Sequence, residues 1–449
     1  MGAWPGASLP TAGGLLIKFG ITFCLNNFIV FLCSFTSSLL SFLFLSFLYF
    51  PINSVLLLRF FCFLGRKQQV RTVYLDFNAT TPLDPEVKEV MLPFLGDFFG
   101  NPSSIHRIGR KVRAQLDDCR ERVARVWKCS ASEVIFTSGA TESVCQAICG
   151  SARFLKSKGR HLITSSIEHH AVLNTVEYLV NKEGFELTTL PVDTEGRVAP
   201  QDLDNAIKDD TILVSVMAAN NETGAIQPVA DLGAICQQRG VLFHTDAVQW
   251  FGKEPFESIH QFNADLVTIC GHKFYGPKGS GALFIKSPLL PDPILFGGGH
   301  ENERRAGTEN LAAIAGLVEA IERFVPTPVF ERSRLELLNC RLSSMGEIDG
   351  INLLCPLAKR LANTASFTVP GIDSMTQLAA LDLDGICASA GSACSAGSLN
   401  PSHVLSAMGR SDNEANSLVR FSLGRETTEE EINLVLASFL NFVEQVRVF

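Results

Sequence analysis

The sequence predicts an α/β protein: a large domain built on a mostly parallel sheet between helices, followed by a smaller α+β domain. Three observations predict it. Short apolar runs alternate with helix-length amphipathic segments from Val73 to about Val325, the order that builds a parallel sheet covered by helices. Beyond Val325 the pattern changes to a helix, several short strands and a final helix. The chain of 449 residues has room for two or three domains and a large core. The expected divisions are residues 1–70, 71–328 and 329–449, the first residues after 71 being free to pack with the last domain.

Residues 1–70 differ from all that follows. From Leu15 to Phe50 the only charge is Lys18, and Asn27 to Phe50 alone is long enough to span about 30 Å of hydrocarbon as a helix. A secretory signal fits poorly, because the run is too long and no A-x-A-like site follows it. Two readings stay open. One is a membrane anchor, with Arg59, Arg66, Lys67 and Arg71 after it against Lys18 before it, which keeps the catalytic part in the cytoplasm. The other is a translation start assigned too far upstream.

From Val73 the elements follow in order. VYLDFNATTPLDPEV reads as a short strand, a loop carrying Asn78, and a helix opening near Asp84-Pro85. A long amphipathic helix comes next, with Val112, Leu116, Val123 and Val126 as its buried stripe. EVIFTSGATES, HLITSSIEHHAVL and TILVSVMAANNETG each run from strand into loop ahead of a helix. VLFHTDAVQ and DLVTICGHKFYGPKGSGALFIK supply further strands.

Composition narrows the function classes. A net charge of −8 with no basic stripe argues against a nucleic-acid footprint. The 13 cysteines are scattered without a C-x-x-C pair, which suggests neither a zinc site nor a disulfide framework. Most are expected to be small core residues in a reducing compartment.

The chemistry collects at strand ends. Lys273 follows the apolar strand Val267–Cys270, where open α/β sheets place ligands and where desolvation makes an amine nucleophilic. Gly139, Ala140 and Thr141 open a helix directly after the strand Val134–Thr137. Such a turn offers free N–H groups to a phosphate, although it also occurs as a plain helix start. Asp246 ends an apolar strand and needs a positive partner or hydrogen bonds there, unless it caps a following helix. His169 and His170 are adjacent, so their side chains diverge and do not share a metal; His169 suits stacking and acid–base work. Cys394 stands among Ser392, Ala393, Ser395, Ala396 and Gly397, a setting for a reactive thiolate rather than a core thiol. Arg420 on SLVRFSLGR suits a carboxylate. A lysine, an acidic partner for a ring nitrogen and a phosphate turn together point to pyridoxal phosphate.

The motifs LDFNATTP, GNPSS, TSGATES, EHHAVL, NNETG, HTDAVQ, GHKFYGPKG, GGGHE, GTEN, SAGSACSAGSLNPSHVL and VRFSLGR stand in this order from about Val73 onward. In them the chain resembles the cysteine desulfurases of the NifS/IscS group, within the class V aminotransferases. The resemblance implies pyridoxal-phosphate fold type I, with seven strands in the large sheet, and a homodimer. It implies that Lys273 holds pyridoxal 5'-phosphate as a Schiff base, that His169 stacks on the ring and shuttles protons, and that Asp246 pairs with the ring nitrogen. Gln249 and Asn221 would lie near the ring hydroxyl. Ala140, Thr141 and His272 would hold the phosphate, with Thr308 reaching in from the other subunit. Arg420, with Asn78 nearby, would bind the substrate L-cysteine. Cys394 would take its sulfur as a persulfide, release alanine, and pass the sulfur to an acceptor protein such as an iron–sulfur scaffold. No metal is implied.

Departures from the pattern are specific. Cys270 stands where the family usually has a phosphate-binding serine, and a thiol is a weaker donor. Val144 and Cys145 replace the usual polar pair after TES, which puts helix contacts near the cofactor in question. The chain stops a helix beyond Arg420, so one surface for a scaffold partner is expected to differ. Alternatives on the same fold are a selenocysteine lyase or an aminotransferase, the latter having no use for Cys394. A membrane-tethered scaffold with an inactive cofactor site is the alternative of another class.

Overall fold

The computed structural model describes residues 71–391 and 401–447. The hydrophobic segment 1–70 and the Cys394 loop lie outside the described residues. Arg71–Phe449 make one compact unit. A short strand, β1 (Val73–Tyr74), comes first, and seven strands then form the large sheet: β2 (Val134–Thr137), β3 (His161–Ser165), β4 (Glu186–Leu190), β5 (Thr211–Ser215), β6 (Leu242–Asp246), β7 (Leu266–Cys270) and β8 (Gly281–Ile285). Their order is β2-β8-β7-β6-β5-β3-β4. All neighbours pair in parallel except β8, which runs antiparallel to both β2 and β7. β3, β5, β7 and β8 are buried at every residue, which is why they read as apolar runs rather than alternating ones.

Helices cover both faces. Asp84 caps the helix Pro85–Leu95, its Oδ1 accepting from the N–H groups of Glu86 and Val87, with proline in the first turn. The helix Arg107–Trp127 buries Val112, Leu116 and Val123 as expected, but Val126 is only half-buried. Trp127 takes the core position instead, meeting Phe251 and Phe284 edge-on. One core lies on this face, with Phe243, Val267 and Phe284; another, with Leu162, Val176 and Leu213, fills the opposite face.

The C-terminal strands form smaller sheets. β9 (Asn352–Leu353) and β12 (Leu418–Ser422) flank β10 (Thr364–Thr368) in antiparallel pairing, while β1 pairs in parallel with β11 (Ile386–Cys387). A third core joins Val73 and Leu75 to Phe367, Phe421 and Phe439. The first residues after 71 thus pack with the C-terminal elements. Val329 touches both this core and that of the large sheet.

Candidate active site

The segments following β2, β3, β5, β6 and β7 line one cavity of about 610 Å³. It collects Asn78, Ala140, Thr141, His169, Asn221, Asp246, Gln249, His272, Lys273 and Arg420. A larger cavity, of about 790 Å³, lies at the amino ends of β5 and β6 and contains none of these residues. Chemistry therefore singles out the smaller one.

β7 stops where Gly271 begins a single turn of 3-10 helix, Gly271–Lys273. The backbone then folds back on itself, with the Gly276 N–H donating to the Gly271 carbonyl at 3.0 Å. A Cβ on Gly276 would stand 2.9 Å from the Gly271 Cα, so this return path needs glycine. Thr81 grips the turn: its hydroxyl donates to the His272 carbonyl and accepts from the Tyr275 N–H at 2.7 Å. Lys273 is left with Nζ 2.7 Å from the Asn78 carbonyl and 2.8 Å from that of Ala79. Burial holds its amine below the usual lysine range, and the Arg420 guanidinium acts in the same direction. Such an amine is a ready nucleophile.

Asp246 is 6% exposed. Among the described residues its carboxylate has one hydrogen bond, from the Val248 N–H to Oδ1 at 3.0 Å. Burial pushes its pKa up to about 6, opposed by that bond and by Lys273. Turns rather than a helix follow over 248–253, so the capping alternative does not hold. A buried carboxylate in a cavity wall with so few partners is suited to a cationic N–H from a ligand.

Gly139 precedes the helix Ala140–Cys145, whose first residues line the cavity. Glu142 borders the cavity as well, its carboxylate paired with Arg305 at 2.7 Å and accepting from the Ser138 N–H. His272 lines the same end, and burial with Lys273 nearby lowers its pKa to about 4. Burial raises the pKa of Cys270 to about 12, so it is a thiol there. Val144 packs into the core and the Cys145 sulfur meets the Thr175 hydroxyl at 3.4 Å. Neither lines the cavity, because their side chains leave the helix on other faces.

His169 caps the helix His170–Glu183, with Nδ1 accepting from the Ala171 N–H at 3.0 Å. Among the described residues Nε2 has no hydrogen-bond partner, which leaves it open to the cavity. Burial, then Lys273, lowers its pKa to about 4, so the ring is neutral. His170 diverges from it and faces His403, ring centroids 4.9 Å apart. Arg420, 1% exposed, comes from β12 in the smaller sheet. Its Nη1 donates to the Asn221 carbonyl at 2.7 Å and its Nη2 to Asp76 Oδ1 at 2.6 Å, while Nε has no partner among the described residues.

Thr308 does not reach the cavity within this chain. It is exposed on the far side of a wall made by Ser138, Gly279 and Ser280. Cys394 lies outside the described residues. Sequence reasoning missed three groups: the buried Lys253 and Glu168, and the half-buried Asp76. Lys253 Nζ donates to Asn78 Oδ1 and Gln249 Oε1, and Glu168 accepts from the Ser165 hydroxyl and the Met217 N–H. Asp76 stands inside LDFNATTP, and its carboxylate offered a signal; nothing set Lys253 apart from a surface lysine.

The class V aminotransferase family model matches residues 73–435. A curated protein from Dictyoglomus turgidum, named cysteine desulfurase IscS, is 46% identical over 379 residues, covering 84% of this chain and 96% of its own. This chain is a class V aminotransferase family member, of the cysteine desulfurase group. A desulfurase of the same name from Methanosarcina thermophila is 44% identical over 380 residues, 84% of this chain and 93% of that one. A solved NifS-like protein superimposes with a TM-score of 0.76 at 37% identity, covering 84% of this chain and all of its own. A structure titled SspA in complex with cysteine has a TM-score of 0.71 at 34% identity, over 80% of this chain and all of that one. The family's fold, with its mostly parallel seven-stranded sheet, is the one seen here. Among the described residues no helix is long and apolar enough to cross a membrane, and the described cysteines are free thiols.

Proposed function

We propose that the chain is a pyridoxal-phosphate-dependent cysteine desulfurase, acting as a homodimer in the cytoplasm. One observation carries the reading: a buried amine, Lys273, and a buried, under-satisfied carboxylate, Asp246, converge on a cavity that begins at a helix N-terminus. The donor set fits the cofactor. Lys273 would attach it, Asp246 would hold the proton of its ring nitrogen, and His169 would stack on the ring. The N–H groups of Ala140 and Thr141, with His272, would take the phosphate, and Thr308 would come from the second subunit. Asn221 and Gln249 would border the ring hydroxyl. Bound there, pyridoxal phosphate supplies an electron sink for charge developing at the α-carbon of an amino acid.

The residues then divide the work. Arg420 binds the L-cysteine carboxylate, sharing its guanidinium with Asp76, and Asn78 borders the same space. Lys273 and His169, the latter at Nε2, move protons between the α- and β-carbons and the amine. The Cys394 thiolate attacks the substrate sulfur: the carbon–sulfur bond breaks, a sulfur–sulfur bond forms, and alanine leaves. The persulfide keeps sulfur covalently held for an acceptor such as an iron–sulfur scaffold protein.

The test uses the purified protein loaded with cofactor and given L-cysteine, alongside Cys394→Ser. Alanine release with one added sulfur on Cys394 by mass spectrometry is expected, and Cys394→Ser should keep cofactor but release no alanine. Bound cofactor without alanine from the wild type would overturn the desulfurase reading. Wild-type alanine production by Cys394→Ser would overturn the nucleophile.

A further inference from the structure

Lys253 is fully inside the protein, 3% exposed, and does not line the cavity. Its Nζ donates to two oxygens, Asn78 Oδ1 at 2.8 Å and Gln249 Oε1 at 2.6 Å, and both of those residues do line it. Among the described residues no carboxylate is one of its hydrogen-bond partners. The adjacent Glu254 is turned to Arg332, 2.6 Å away. Burial holds the Lys253 amine well below the usual lysine range. The amine spends two N–H donors on the two carboxamide oxygens. A methionine would fill the same space without the cost of burying an amine. What the amine adds is a pair of donors aimed at carboxamides.

That pairing has a chemical consequence. A carboxamide offers an acceptor at one end and donors at the other, and its two orientations are nearly the same shape. A donor-only neighbour removes the ambiguity. With Oε1 held by Lys253, Gln249 must present Nε2, one N–H of which goes to the Asn78 carbonyl at 3.0 Å. The second N–H remains for the cavity. The same logic fixes Asn78, whose Nδ2 donates to the Thr364 hydroxyl at 2.9 Å and toward the Asn221 carbonyl. The Asn78 carbonyl is also the resting partner of Lys273.

We propose that Lys253 is a positioning residue: by binding the carboxamide oxygens of Asn78 and Gln249, it makes Gln249 a donor toward the cofactor's ring hydroxyl. This rests on the cofactor reading above, and it deepens that reading by naming a residue outside the cavity that sets hydrogen-bond polarity within it.

The test compares the full chain with Lys253→Met, Gln249→Leu and the double variant. Cofactor titration into stripped protein should show about tenfold weaker binding for Lys253→Met, the size of one lost hydrogen bond. The pH midpoint of the bound cofactor's visible band should move upward in Lys253→Met and in Gln249→Leu alike, because an oxygen that loses its donor becomes more basic. A merely structural lysine would lower the melting temperature and leave that midpoint in place. Urea midpoints of the stripped proteins should be non-additive, the double variant losing less than the two singles together. Unchanged affinity and midpoint in Lys253→Met, or strictly additive urea midpoints, would overturn the proposal. If Lys253→Met does not fold, an unshifted midpoint in Gln249→Leu overturns it and a shifted one supports it. A wild type that takes up no cofactor would sink the function reading, while the urea cycle would still decide the clamp.

Discussion

Replacing Asp246 by Asn should stabilise the cofactor-free protein and weaken its hold on the cofactor. The carboxylate is buried, with one hydrogen bond to offset its desolvation, and its pKa rises from 3.8 to about 6. A raised carboxyl pKa means that the native state holds its proton more tightly than the unfolded chain does. The resulting stability is present below pH 3.8 and is lost as pH climbs through about 6. Two pH units correspond to about 3 kcal/mol, the amount by which ionised Asp246 should burden the empty site above pH 7. Asparagine keeps the acceptor for the Val248 N–H and never ionises. The attraction between Asp246 and Lys273 is lost with the charge, so the measured gain should fall somewhat short of that figure. Urea unfolding of stripped wild type and Asp246→Asn from pH 4 to pH 8 gives the difference directly, because other titrations cancel. It should be small at pH 4, grow to pH 6 and level off. Added pyridoxal phosphate should then stabilise the wild type more than the variant. A difference that does not vary with pH, or a variant less stable at pH 8 than at pH 4 relative to wild type, would refute the argument.

Two further outcomes follow from neighbouring contacts. Arg120 and Glu301 form a buried bidentate pair, both bonds 2.7 Å, and Glu301 also accepts from the Phe136 N–H. Glu301→Ala leaves the guanidinium buried without its partner and should cost about 3–5 kcal/mol in denaturant unfolding, with a loss under 1 kcal/mol ruling out the pair as a structural anchor. Glu301, Asn302 and Glu303 all have positive φ, so the pair also anchors the strained start of the segment leading to Thr308. Cys270→Ser should tighten cofactor binding about threefold to tenfold by equilibrium titration, since a hydroxyl donates better than a thiol. Weaker binding by the serine variant would show that the thiol's packing matters more than its donor strength.

The strands and the turns at their ends were legible because their causes are local. Doubly covered strands must be apolar throughout, so β3, β5, β7 and β8 announced themselves, and the polar residues just past strand ends had no core reason to be there. Lys273, Asp246, His169 and the Gly139–Thr141 turn were found in this way. Asp246 was misread in one respect, as a possible helix cap, because the turns after it carry apolar residues that could equally have been helical. Val126 was placed in the buried stripe of its helix, but spacing alone does not fix the edge of a stripe, and the bulk of Trp127 took the core position.

Tertiary structure decided what no local pattern encodes. Asp76 meets Arg420 across 344 positions, and Lys253 meets Asn78 across 175. Lysine in QWFGKEPF looks like any solvent-facing lysine until the fold closes over it. The sequence by itself determined which residues carry reactive groups and that they lie at strand ends. The packing of the smaller sheet against the large one decided which of them share one cavity. Burial there decided their charge, because desolvation depends on the residues that surround a group and not on those beside it in the chain.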